Sequence, residues 1–494
     1  MKTKILDCTL RDGGYYTNWD FDNNIIDNYI KYTNDLKIDY IEIGYRNKKK
    51  LNEYRGQFFY TPLHTLKYFK KKSKHKIAIM IDYKSIKTNE INDLLSDAIQ
   101  YVDLVRVAVA PSEIKKIQDF VKEIKTMGFE VALNIMYLSQ WKIKSIKQTL
   151  AKIQNVDFLY LVDSYGSIFP ENLERVISEL KGLSNLKLGF HSHDNIELAF
   201  ANTLTAIKNK IDIVDSTILG MGRGAGNLKT ELLLIKIYSS SNDKYKLYDA
   251  LDNLVSTFIP LKEKYKWGSD ISYKFAGINS YPQKDIMFLK LSKNYKFSQI
   301  IAHFDENKKT KQKLEEISLK KSKNKLDTII IGGGRSIIDH NIAIEKILEN
   351  HEKYNIIFSS SKFSGMAKAI YANCYQIVIG SDISNLKSIK KNVNYIFPLD
   401  TVKSKNKNFY SLKINNKNNN EVNHLLSSLI LTSKITESKN VLIAGFDGFD
   451  QNDDFFNVFK ANELIFKSFE RKLNIQSVTD TKYSVSIDSI YSKI

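Results

Sequence analysis

Lys187-Leu188-Gly189-Phe190-His191-Ser192-His193-Asp194-Asn195 is a short apolar run that ends in residues able to bind a cation. Side chains alternate along a strand, so His191 and His193 point the same way, about 6–7 Å apart. Such a pair either converges on one divalent ion or makes two ordinary hydrogen-bonded histidines. Comparable β-branched runs occur at Lys4–Leu10, Tyr40–Arg46, Lys76–Asp82, Leu104–Ala110, Val131–Tyr137, Phe158–Ser164 and Ile213–Gly220. Helix-like segments such as Asn24–Leu36, Asn89–Gln100, Ser112–Met127 and Pro170–Leu180 separate them. Strand then helix, eight times, predicts an α/β fold whose N-terminal part is a (β/α)8 TIM barrel; the strand count disfavours a doubly wound open sheet.

The composition agrees. Hydrophobic residues make up 43% of 494 and charged residues 26%, ordinary for a globular chain with room for a barrel and one more domain. Lys+Arg 74 against Asp+Glu 55 gives a formal charge of +19. Lys runs (Lys48–Lys50, Lys70–Lys72, Lys320 and Lys321) sit between apolar segments, where solvated faces belong. No nucleic-acid-binding motif accompanies them, so a nucleic-acid partner is not expected. Two cysteines, Cys8 and Cys374, cannot form a disulfide framework. With no signal-like start and no run of ~18 apolar residues, the expectation is a cytoplasmic protein without a membrane partner.

Residues Tyr245–Phe304 read as helices trailing the barrel, giving a first domain over 1–304. Asp305–Lys325, rich in Lys, Glu, Asn and Ser, reads as a linker. In 326–494 candidate strands recur at Asp327–Ile331, Asn355–Ser359, Gln376–Gly380, Asn394–Pro398, Tyr410–Ile414 and Asn440–Gly445. With helical stretches such as Ser336–Glu349 and Ser364–Asn373 between them, they predict a smaller open-sheet, Rossmann-like α/β domain. There Ile331-Gly332-Gly333-Gly334-Arg335-Ser336 reads either as a phosphate-binding turn or as a packing turn. Ile337 replaces the third glycine of a dinucleotide fingerprint, and no P-loop lysine is present. Gly445-Phe446-Asp447-Gly448 is a second strand-end turn.

Two more segments carry chemistry in the barrel. In Leu6-Asp7-Cys8-Thr9-Leu10-Arg11-Asp12-Gly13-Gly14 a continued strand puts Asp7, Thr9 and Arg11 on one face. Facing the interior, Asp7 needs a cation or Arg11 to compensate its charge. Strands one and seven deliver their C-terminal ends to one mouth, so Asp7, His191 and His193 are expected to form a two-histidine, one-carboxylate set. Mn²⁺, Mg²⁺, Zn²⁺, Co²⁺ and Fe²⁺ all suit such a set. In Gly220-Met221-Gly222-Arg223-Gly224-Ala225-Gly226-Asn227 the glycines allow close approach to a ligand, and Asn227 offers a further metal-binding oxygen.

Together Leu10-Arg11-Asp12-Gly13, His191-Ser192-His193-Asp194-Asn195 and Gly222-Arg223-Gly224-Ala225-Gly226-Asn227 resemble the DRE-TIM metallolyase superfamily, also called HMG-CoA lyase-like. Ile41-Glu42-Ile43-Gly44 and Val162-Asp163-Ser164-Tyr165-Gly166 support the resemblance, which spans roughly residues 1–300. The eighth loop is similar to that of the 4-hydroxy-2-oxovalerate aldolases and lacks the loop cysteine of HMG-CoA lyases. The resemblance implies a divalent-metal-dependent aldolase, with Mn²⁺ or Mg²⁺ foremost and Zn²⁺ or Co²⁺ as alternatives. Asp7, His191, His193 and Asn227 would bind the metal, Arg11 would stabilise the enolate of a pyruvate-type 2-oxo acid, and an aldehyde would be the other substrate. Where the aldolases place a catalytic histidine after Arg-Asp-Gly, this chain has Tyr15, which becomes the candidate base, with Glu42 and Tyr273 behind it. Alternatives are a Claisen-type condensation of an acyl-CoA with a 2-oxo acid, and a noncatalytic barrel in a glycan-assembly protein. The second is prompted by the missing histidine and by a faint likeness of 326–494 to Rossmann-like domains appended to aldolase-like proteins of surface-polysaccharide gene sets. A homo-oligomer is compatible with all three.

Overall fold

The computed structural model describes residues 3–50, 54–181, 187–239, 244–291, 297–298, 300–301, 304, 314–317, 325–366, 373–380, 382, 389–398, 406–414, 423–450, 453 and 455–494. They fall into two units, Met1–Met287 and Phe288–Ile494. Among them, no helix is long and apolar enough to cross a membrane.

The first unit is a closed barrel of eight parallel strands in sequential order: β1 (Lys4–Asp7), β2 (Tyr40–Tyr45), β3 (Lys76–Asp82), β4 (Leu104–Val109), β5 (Glu130–Ile135), β6 (Phe158–Asp163), β7 (Lys187–Ser192) and β8 (Ile213–Ser216). Each matches one of the eight runs. Their β-branched residues explain why: Ile79, Ile81, Val105 and Val107 are buried under the helical layer, each contributing about 1.5–3 kcal/mol by burial. The alternate positions fill the lumen, where Leu6, Cys8, Tyr40, Ala78, Leu104, Ala132, Phe158, Tyr160, Val162 and Ile213 form a separate cluster. Boundaries differ where the polar mouth begins. The expected strand Lys4–Leu10 stops at Asp7, and helix α1 (Thr9–Thr17) starts almost at once. Helix α2 (Asn23–Thr33) follows, capped by Asp22, whose side chain accepts from the Asn24 amide.

The second unit is an open, all-parallel sheet. Its strands are β9 (Glu315–Glu316), β10 (Asp327–Ile331), β11 (Tyr354–Phe358), β12 (Cys374–Ile377), β13 (Val393–Phe397), β14 (Phe409–Ser411), β15 (Asn440–Ala444), β16 (Asn474–Ser477) and β17 (Ser486–Ile487). Their order is β17-β16-β15-β10-β11-β12-β13-β14-β9. From β10 the chain winds outward through β14, then returns to the other side at β15, a doubly wound arrangement. The six expected strands are present; β9, β16 and β17 were not foreseen, because they are short and rich in polar residues. The division into units falls after Met287, and β9 lies within the segment read as a linker. Most of that segment, and residues 367–372 of the expected helix Ser364–Asn373, lie outside the described residues.

The glycine turn after β10 serves packing. The Gly332 and Gly334 amides donate to the Ala444 and Gly445 carbonyls, and Asp447 accepts from both the amide and the hydroxyl of Ser336. A carboxylate thus stands where a phosphate would have to bind.

Candidate metal and active site

The barrel pleat fixes what enters the site. With Leu6 and Cys8 in the lumen, Asp7 points outward through the wall. Its Oδ1 accepts from the Thr9 amide (3.0 Å) and the Tyr29 hydroxyl (2.7 Å), and its Oδ2 from the Thr230 hydroxyl (2.7 Å). Burial raises its carboxyl above the ordinary value despite these bonds. Asp7 therefore pins β1 to α2 and to the helix Thr230–Tyr238. The expectation that it ligates metal is corrected.

The carboxylate at the histidines is Asp12. Because the chain leaves the strand at Asp7, alternation no longer applies, and the first turn of α1 carries Arg11 and Asp12 to the mouth of the barrel. Ligand atoms of Asp12, His191 and His193 lie within 4.8 Å of one another, and all three residues are buried. The Nε2 of His191 is 3.8 Å from Oδ2 of Asp12, and the two imidazole rings stand 5.0 Å apart. Asn227 joins them: it forms a β-bridge with His193 and its amide donates to Asp12. A Cβ at Gly222 would stand 2.5 Å from the Asn227 amide nitrogen and 3.0 Å from Oδ2 of Asp12, so only glycine leaves this corner clear.

The donor set fits a divalent cation. His193 Nδ1 and Asn227 Oδ1 are buried without a hydrogen-bond partner, a costly state for polar atoms unless a ligand completes it. Burial, with His191 adding to it, pushes the His193 imidazole down to about 3, so its lone pair is free at neutral pH. Burial alone would raise Asp12, but the Arg11 guanidinium and the two imidazoles hold it well below the usual carboxylate range. Cys8, His191 and Asp215 also cluster, but Asp215 already accepts from Arg106 and pairs with His191.

A layer of charge beneath the site orients it. Arg106, fully buried, donates to Glu42 (2.9 Å) and to Asp215. Asp215 in turn bonds Nδ1 of His191 at 2.7 Å, leaving Nε2 for the site. Glu42 also accepts from Nε of Arg11 (2.7 Å), while NH1 of Arg11 donates to Asp12 (2.6 Å). Glu42 is thus occupied by two guanidiniums and positions Arg11 rather than serving as a base. Of these supporting groups, Arg106 and Asp215 escaped the sequence reading. Their signal was available: a lone charge inside an apolar strand, as in Val105-Arg106-Val107 and Val214-Asp215.

Above the site opens a cavity of about 1220 Å³, lined by Arg11, Asp12, Tyr15, His191, His193 and Arg223 among others. Tyr15 thus shares it with the metal-binding residues; its hydroxyl lies 3.2 Å from that of Tyr45. Tyr273 does not line the cavity. It bonds Tyr16, and burial pushes its hydroxyl well up.

Fold and site together define a TIM barrel with a cluster of candidate metal ligands at the mouth of its strands. The chain belongs to the HMGL-like family, whose profile matches residues 2–254. The resemblance drawn from the three motifs is borne out. The oxaloacetate decarboxylase of Mycobacterium tuberculosis is 27% identical over 285 residues, which is 56% of this chain and 83% of that protein. A 4-hydroxy-2-oxovalerate aldolase of Bacillus thuringiensis is 29% identical over 183 residues, 36% of this chain and 53% of the relative. The chain therefore spans about half the length of the aldolases it matches. Among solved structures, the N-terminal domain of a Bacteroides vulgatus protein assigned as an aldolase is 44% identical, with a TM-score of 0.55, covering 60% of this chain and 99% of that one. Pyruvate carboxylase of Rhizobium etli shares the fold at 14% identity and a TM-score of 0.50, over 61% of this chain and 33% of that one.

Proposed function

We propose that the barrel is a divalent-metal-dependent aldolase that forms or cleaves the carbon–carbon bond next to the enolate of a pyruvate-type 2-oxo acid. The observation that carries this reading is the convergence of Asp12, His191 and His193 beside Arg11 on one cavity. Asp12, His191 and His193, with Asn227, would hold Mn²⁺ or Mg²⁺. When bound, the cation supplies positive charge for the carboxylate and keto oxygens of the 2-oxo acid. Arg11, fixed through Nε and NH1 by Glu42 and Asp12, donates to the keto oxygen as negative charge develops there. Tyr15, after passing its own phenolic proton to solvent, would accept the proton of the 4-hydroxyl group during cleavage and return it during condensation. Arg223, whose Cζ is 5.0 Å from the Tyr15 ring centroid, and Arg11, whose Cζ is 6.0 Å from that of Tyr45, set positive charge against the tyrosine pair.

A second reading is decarboxylation of a 2-oxo diacid, favoured by the longer coverage of the M. tuberculosis decarboxylase. It forms the same enolate but has no hydroxyl proton to remove. Tyr15→Phe separates the two: it should suppress aldol cleavage while sparing decarboxylation. The convergence of ligands argues against a noncatalytic barrel, and release of thiol from acetyl-CoA with a 2-oxo acid would favour the Claisen alternative. The decisive test of the enolate itself is solvent deuterium exchange into C3 of pyruvate. It should stop on chelation, return with Mn²⁺ or Mg²⁺, and be lost in the His191→Ala/His193→Ala double variant. Exchange that ignores both treatments overturns the proposal.

A further inference from the structure

Arg223 stands out among the cavity residues. The chain carries 74 Lys and Arg, of which only eight are arginine, and three of the eight, Arg11, Arg55 and Arg223, line this one cavity. Arginine offers a rigid, planar fork for carboxylate or phosphate that lysine does not. Arg11 is committed to Asp12 and Glu42. Arg223 differs: it makes no ion pair with any described residue, and its Nε is shielded from solvent without an acceptor. A shielded guanidinium nitrogen left without an acceptor is costly unless a ligand supplies one.

Its place explains what that ligand is. Arg223 belongs to the loop that ends at Asn227, and its guanidinium stacks on Tyr15, the residue assigned to the proton of the second substrate. The Tyr15 ring packs 4.8 Å from that of Trp19, on which Arg55 stacks at 5.6 Å, and the loop after β3 brings Lys84 and Lys87 to the same cavity. Neither ammonium makes an ion pair with a described carboxylate, although the Lys84 amide donates to Asp82 (3.1 Å) and the Lys87 amide to Glu90 (2.8 Å). The cavity, about 1220 Å³, exceeds what a three-carbon 2-oxo acid needs, since sites for drug-sized ligands run about 300–1,000 Å³.

We infer that Arg223, assisted by Lys84 and Lys87, forms an oxyanion subsite for the second substrate, which is a carbonyl compound bearing a phosphate or carboxylate remote from the reacting carbon. This rests on the aldolase reading for the name of the second substrate, but not for the subsite. The 2-oxo acid's own carboxylate would sit on the cation that Asp12, His191 and His193 would hold, leaving Arg223 for the partner.

The test uses the full chain loaded with Mn²⁺ and saturating pyruvate, titrated calorimetrically with glycerol 3-phosphate, glycerate and glycerol. At least one of the two anions should bind and glycerol should not; which anion binds tells phosphate from carboxylate. Arg223→Ala should weaken the anion by about tenfold or more, and Arg223→Lys by less, since a point charge keeps the attraction but loses the fork. Lys84→Ala, on an exposed side chain, should cost about two- to threefold and lose its effect in high salt. Binding of all three probes alike, binding of none, or an Arg223→Ala variant that loses only pyruvate affinity overturns the subsite. Deuterium exchange into pyruvate by the unsubstituted protein keeps the two ideas apart. Absent exchange with Arg223-dependent anion binding removes the aldolase reading alone, and normal exchange without anion binding removes the subsite alone.

Discussion

Asp7 and Asp12 are both buried carboxylates at the end of the first strand, yet they lie on opposite sides of the barrel wall. Asp7 faces the helical layer and is satisfied by three neutral donors: an amide and the hydroxyls of Tyr29 and Thr230. Asp12 faces the mouth and is held by a guanidinium and an asparagine amide beside two histidines. The chemistry of the partners separates the roles. Neutral donors anchor a carboxylate, whereas a cationic arginine and two open imidazole nitrogens leave it competent to share a metal ion. The same contrast shows in direction of titration: burial wins at Asp7 and raises it, while charge wins at Asp12 and lowers it.

Removing each group should therefore damage different things. The largest effect is expected for Asp12→Ala. Loss of an outer partner of a metal ligand typically costs 10–100-fold in affinity, so loss of a ligand should weaken Mn²⁺ binding by more than about 100-fold. Arg11 keeps Glu42, but one of its buried nitrogens and the Asn227 amide lose their acceptor, so the fold should also lose about 1–3 kcal/mol. Metal titration and thermal unfolding on one preparation check both halves, and unchanged Mn²⁺ affinity would return the ligand role to another carboxylate. Next is Arg106→Met, which strands Glu42 and Asp215 as buried carboxylates. Breaking a buried ion pair from one side costs about 3–5 kcal/mol, and His191 loses the group that orients its Asp215 partner. Urea unfolding should show this loss, and a midpoint equal to that of the unsubstituted protein would mean that the charged layer is not structural.

The barrel was legible because its signal is repeated and one-dimensional: eight β-branched runs need no knowledge of where the chain turns. His191 and His193 were legible because both stay within reach of the pleat of β7. Asp7 was misassigned for a local reason. The apolar Leu6 and Cys8 already claimed the lumen, which sends Asp7 outward, and Arg11 and Asp12 reach the mouth on a helical turn rather than by strand alternation. Arg223 could be quoted as part of a glycine-rich loop, but its lack of an ion-pair partner is a property of three-dimensional neighbours and no spacing rule exposes it. In the second unit, β9, β16 and β17 stay hidden because edge strands of two to four residues, largely polar, carry no apolar period.

The smallest expected effect is the most direct probe of the contrast. Asp7 has a carboxyl raised above its ordinary 3.8, so the folded protein binds the proton more tightly than the unfolded chain. Its contribution to stability is complete below 3.8 and is lost as pH rises through the folded value. Asp12, lowered from the same 3.8, contributes stability that is present above that value and lost as pH falls toward the folded one. In metal-free protein the two slopes oppose each other. Asp7→Asn keeps an acceptor for Tyr29 or Thr230 but cannot ionise, so its stability should fall less steeply than that of the unsubstituted protein as pH rises from about 4 toward neutrality, the remaining fall belonging to other raised carboxyls such as Asp163, and its Mn²⁺ affinity should match that of the unsubstituted protein. Asp12→Asn should instead lessen the loss on the acid side, where Asp215 and Asp382 also contribute. Denaturant midpoints at a series of pH values measure both slopes. If Asp7→Asn flattened the acid limb or weakened Mn²⁺ binding, the two carboxylates would have to exchange roles, because Asp7 is bonded by neutral donors alone and Asp12 by a guanidinium.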